Sequence, residues 1–171
     1  MANFGAFKDT IQNYLEGKGA GSEQEAADFF SAECAAIINA ATNSLIMSEA
    51  PTPPGFCSGD FLTAFNSIKS SGVNTPANWL PVATAWGTEI SSKAYVGTAG
   101  GAVLMPGGSL GVPPASTLLA QAFSTAGEEG KSASEVASDF RDAIETCCGL
   151  ATGTHTVAGT PPVVQPITGL S

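Results

Sequence analysis

The sequence predicts a mainly α fold, a helical bundle of about five or six helices with a Gly/Pro-rich loop and an extended C-terminal arm. Three observations lead there. Apolar residues recur at helical spacing through most of residues 1–149. Ser22 with Glu25, and Ser132 with Glu135, have the spacing of capping boxes that open helices. Residues 94–114 and 150–171 are instead rich in Gly, Pro and β-branched residues, and Pro161, Pro162 and Pro166 forbid helix in the second. The expected organisation is a helical body over 1–149, including the loop 94–114, followed by an extended arm over 150–171.

Each element has its own signal. Phe4, Phe7, Ile11, Tyr14 and Leu15 mark a first helix that the glycines from Gly17 to Gly21 end. A second opens at Ser22 and keeps an apolar stripe through Phe29, Phe30, Ile37, Ile38, Leu45 and Ile46 until Pro51 stops it. It would run for roughly 28 residues, about 40 Å. "PTPPG" is a stiff turn. Phe61, Leu62, Phe65 and Ile68 mark a third helix, closed by Gly72. Thr75 and Pro76 suit an N-cap and first helical position, opening a fourth with Trp79, Val82, Trp86 and Ile90. Pro81 is placed near its first turn. Pro114 opens a fifth with Leu118, Leu119, Ala122 and Phe123. The sixth carries Val136, Phe140, Ile144 and Cys147, with Gly149 as its stop.

The 171 residues suit one domain with a real core. Charged residues make up only 12%, against roughly 25% in ordinary soluble domains, and they are unevenly placed. Between Lys69 and Glu128 the only charged residues are Glu89 and Lys93, and none follows Glu145. Disordered segments stay in water through charge and low hydrophobicity. The loop and tail have aliphatic side chains without the charge, so they call for shelter, and a neighbouring subunit can supply it.

The net charge of −9, with six Lys and Arg in all and no cluster of them, argues against direct nucleic-acid binding and against anionic membranes. "MANFGAFKDT" lacks the pattern of a signal peptide, and no run of about 18 apolar residues suits a membrane span. Synthesis in the cytoplasm, with Cys34, Cys57, Cys147 and Cys148 as thiols, is the expectation.

Candidate chemistry meets a plainer explanation at each place. Cys147, Cys148 and His155 could pair as nucleophile and base, but no orienting Asn or Asp stands nearby, and small apolar packing accounts for the cysteines. Adjacent cysteines are not a zinc knuckle. The loop glycines form neither a GK[ST] nor a G-x-G-x-x-G pattern. Asp139 with Asp142, and Glu128 with Glu129, read as solvated helix faces and starts, and Trp79 with Trp86 as core. The expectation is therefore no enzyme, no metal and no cofactor.

Across most of its length the chain resembles the small virion structural proteins of tailed bacteriophages. The resemblance is carried by "FKDTIQNYLEGKG", the long Ala-rich helix, the Trp-bearing helix with the "MPGG" loop, and "THTVAGTPPVVQPITG". It implies a non-enzymatic part of a head, neck, tail or baseplate, made in the host cytoplasm and located in the virion. The partners it implies are other virion subunits, in a homo-oligomer. The candidate interface residues are Val103, Leu104, Met105, Leu110, Val157, Val163, Val164 and Ile167. The alternative is a small non-enzymatic binding or adaptor module acting as a monomer or dimer.

Overall fold

A computed structural model describes residues 2–17, 21–42, 51–91, 94–95, 98–99, 102–111, 115–150, 152–157 and 163–168. It contains six helices: α1 (Phe4–Glu16), α2 (Glu23–Thr42), α3 (Ser58–Ser71), α4 (Pro76–Ser91), α5 (Ala115–Ala126) and α6 (Ala133–Leu150). The mainly helical architecture agrees with the periodicity in the sequence.

The caps set most of the boundaries. Asn3 Oδ1 accepts from the Ala6 N–H at 2.9 Å and opens α1. At α6 the box is reciprocal: the Ser132 hydroxyl accepts from the Glu135 N–H at 3.3 Å, and the Glu135 carboxylate accepts from the Ser132 N–H at 2.8 Å. Ser22 caps α2 in the same way, but Glu25 reaches back one residue further, to the Gly21 N–H at 2.7 Å. Gly72 ends α3 at φ 68°, with its N–H on the Ile68 carbonyl. That left-handed turn strains any other L-residue. At α4 the Asn78 carboxamide oxygen accepts from both the N–H and the hydroxyl of Thr75.

Several boundaries differ from expectation. Helix α6 passes through Gly149 and ends at Leu150. Glycine ends a helix by turning left-handed, and among the described glycines those with positive φ are Gly72 and Gly130. Pro81 lies beyond the first turn of α4; Pro81 and Ala77, whose carbonyl loses its helical donor, are both exposed, so water can serve that carbonyl. Leu118, read as part of an apolar stripe, is 50% exposed, while Leu119 and Phe123 turn inward. The expected continuation of α2 to Pro51 lies in 43–50, outside the described residues.

The helices close a ring. Each from α2 to α6 packs on the next, while α1 packs on α6 and touches α2. Tyr14 of α1 stacks on Phe29 of α2, with ring centroids 3.7 Å apart. Aromatic side chains fill the centre. Phe30 lies 5.3 Å from Phe140, Phe140 lies 4.7 Å from Phe123, and Phe123 lies 5.8 Å from Trp79. Phe61 and Trp86 are fully buried. Each buried large side chain contributes about 1.5–3 kcal/mol.

The two uncharged segments form one antiparallel sheet. Its strands are β1 (Ala94–Tyr95), β2 (Thr98–Ala99), β3 (Ala102–Gly111), β4 (Thr152–Val157) and β5 (Val163–Thr168). The order is β1-β3-β4-β5, with β2 also on β3. The loop is thus a hairpin, and the arm is a second hairpin whose first strand pairs with it. Uncharged backbone away from helices still needs partners for its N–H and C=O groups, and the two segments satisfy each other. The loop, assigned from sequence to the body, thereby shares its sheet with the arm.

Two substitutions check this account. Ser132→Ala should lower unfolding free energy by about 1 kcal/mol. Phe123→Ala should cost about 3–5 kcal/mol. Urea titration followed by far-ultraviolet circular dichroism measures both; a neutral Phe123→Ala would remove the aromatic centre as the source of stability.

Candidate interaction surface

The register of the sheet sorts the candidate interface residues. Leu104 pairs with Val157, and Val157 with Val163; Leu110 pairs with Gly153, and Gly153 with Ile167. Directly opposed residues share a face, and so do positions two apart on a strand. Leu104, Leu110, Val157, Val163 and Ile167 therefore occupy one face. His155 and Gln165, paired with each other, lie on that face between the two apolar rows.

The other face is different. It carries the positions of Thr152, Thr154, Thr156, Thr168 and Ser109, together with Met105, Val164 and Pro166. Val103 neighbours Leu104 on β3 and falls on this second face. The structure thus brings five of the eight candidates together and places Val103, Met105 and Val164 opposite them. Between Met105 and Ser109 the register shifts, β3 advancing four residues while β4 advances two. The intervening residues are Pro106, Gly107 and Gly108, types suited to a local bulge. Without that shift Leu104 and Leu110 would still share a face, but their rows on β4 would lie further apart.

One apolar face and one Thr-rich face describe a sheet built to be covered on one side. Helix α4 packs beside it, at β3. No strand residue is an Asp, Glu, Lys or Arg. At one edge of the sheet, strand β5 contains Pro166, which has no N–H to offer an added strand. Proline is tolerated at such an edge and discourages indiscriminate pairing there.

The helical body offers less. Among the described residues its exposed large apolar side chains are Val73, Leu80 and Leu118, one before α4, one on α4 and one on α5. Single exposed apolar residues are ordinary. The acidic pairs meet cations or lie exposed: Lys131 bonds Asp139 at 2.6 Å and lies 3.8 Å from Glu128, Arg141 lies 2.7 Å from Asp142, and Glu129 is exposed. Trp79 and Trp86 are core residues, 7% and 0% exposed.

The cysteines are unpaired and buried. Desolvation pushes Cys57 and Cys148 up to about 12 and Cys147 to about 11, and holds Cys34 well above the ordinary thiol range. Cys57 also lies against Ser31, whose hydroxyl oxygen is 3.2 Å from its N–H. A nucleophilic cysteine needs the opposite environment, positive and partly exposed. Among the described residues no group of three or more His, Cys, Asp or Glu is placed to hold a metal ion. No described helix is long and apolar enough to cross a membrane.

Comparison with protein-family models, with curated proteins and with solved structures found no match to this chain.

The thiols give a direct check. Iodoacetamide at neutral pH should modify the native protein slowly and all four cysteines rapidly once it is unfolded. The raised values also fix a sign. The unfolded chain loses thiol protons first, so stability should hold below pH about 9 and fall between about 9 and 12. Rapid labelling of Cys147 or Cys148 in the folded state would contradict the burial.

Proposed function

We propose that this chain is a structural assembly subunit, of the kind that builds a phage head, neck, tail or baseplate, and that its copies meet through the apolar face of the sheet. One observation carries the reading. The two long charge-free segments join into a single sheet and gather Leu104, Leu110, Val157, Val163 and Ile167 on one side. Such a face is stable in water only when covered. The aromatic helical body provides a rigid base for it, and buried thiols give that base no evident reactive group.

Magnitudes favour a repeated contact over an isolated one. Five buried aliphatic side chains contribute on the order of 10 kcal/mol before costs. Association itself costs about 4–15 kcal/mol. A lone contact of this size is marginal. Closed symmetry that gives every copy two or more such contacts makes the complex stable. Other virion subunits with matching uncharged faces would join it by the same means.

Sedimentation velocity tests the proposal. The native chain should sediment as a closed oligomer much heavier than one protomer. Leu104→Asp combined with Val163→Asp, in one row of the apolar face, should return it to protomers with unchanged helical circular dichroism. Met105→Asp with Val164→Asp, on the opposite face, should leave the oligomer largely intact. A native protein that remains a protomer at all concentrations would overturn the proposal in favour of a small binding or adaptor module.

A further inference from the structure

A pocket of about 240 Å³, open to solvent on one side, lies between the helices beside the aromatic centre. All six helices contribute to its wall, from Leu15 of α1 and Phe30 of α2 to Val136 of α6. The wall has no titratable side chain, and its polar side-chain groups are the Asn74 amide and the Trp79 indole N–H. Asn74 is already engaged: its oxygen accepts from the Trp79 indole N–H at 2.7 Å, and its nitrogen donates to the Ser124 carbonyl at 2.9 Å. Gly127 makes room for this amide, since a Cβ there would lie 2.9 Å from the Asn74 nitrogen.

A water needs two to four polar partners, and this wall offers little beyond one amide that is already bonded. The rings are rigid and set at fixed angles: Phe65 stands edge-on to Trp79 at 5.9 Å, and Phe123 stacks on Phe140. The mouth lies where Leu15, Phe65, Ile68 and Val136 are only half-buried. An engineered space of about 150 Å³ lined by Leu, Ile and Phe admits a single benzene ring. The larger volume here matches a molecule of about ten non-hydrogen atoms.

From this geometry we infer that this open-sided pocket is a binding site for a small, neutral, fused-ring aromatic molecule. A charged ligand would meet no counter-charge there and would lose its hydration. The site is independent of the sheet and of any assembly through it. Ring stacking on Trp79 and Phe123 would give it preference for flat molecules over branched aliphatic ones.

Naphthalene is a suitable probe, and the two tryptophans provide an internal control. Trp79 lines the cavity and Trp86 does not. In ¹H–¹⁵N spectra of the full chain, titrated naphthalene should shift the Trp79 indole N–H saturably, at one molecule per chain, and leave that of Trp86 in place. Val136→Phe should fill the mouth and weaken binding more than tenfold with unchanged circular dichroism. The native titration decides the matter even if that variant fails to fold. No shift, a shift of Trp86 alone, or undiminished binding to a folded Val136→Phe protein would overturn the assignment.

Discussion

The structure depends on the contact of aromatic rings at the centre of the helical ring. Phe30, Phe61, Phe123 and Phe140 come from four different helices, and each lies within about 6 Å of at least two others by ring centroid. Helices of this length are marginal in isolation, so their mutual packing holds them. The polar contacts place the helices and add little energy of their own. Lys69 of α3 pairs with Glu23 of α2 at an exposed position, where such pairs contribute about 0–1 kcal/mol. The Asn39–Thr52–Glu89 chain of hydrogen bonds matters more. It links α2, the segment after it and α4 in a partly buried place.

Much of the helical body is legible from residues alone. The 3.6-residue recurrence of Phe7 and Ile11, or of Phe140 and Ile144, names inward faces that burial bears out. Ser132–Glu135 and Gly72 mark ends because their chemistry is local. What fails is also physical. Gly149 resembles a stop, but a terminating glycine is known by its backbone angle, which composition does not give. Leu118 and Leu119 are alike as residues, and only the curvature of the ring decides that Leu119 is the inner one.

The sheet is less legible. Its composition shows that the segments lack charge and avoid helix, but strand pairing joins residues about fifty positions apart. Periodicity within either segment cannot report that. The shift between Met105 and Ser109 is equally invisible, yet it sets which apolar rows lie together. Eight residues chosen for being aliphatic thus divide into five on one face and three on the other. The aromatic cavity escaped sequence reading for the same reason. Every residue in its wall is an ordinary core type, and the space between them exists only in three dimensions.

The separation of charged from uncharged chain has a consequence for salt. All 15 acidic and six basic residues lie outside the five strands, so the rest of the chain bears the whole net charge of −9. If copies gather through their neutral sheets, as proposed, the charged remainders of the chains would repel one another. Dissolved ions screen that repulsion over about 10 Å at 0.1 M and leave the aliphatic contact untouched. In such an assembly ionic strength would be a one-sided control, opposing no attraction and easing every repulsion.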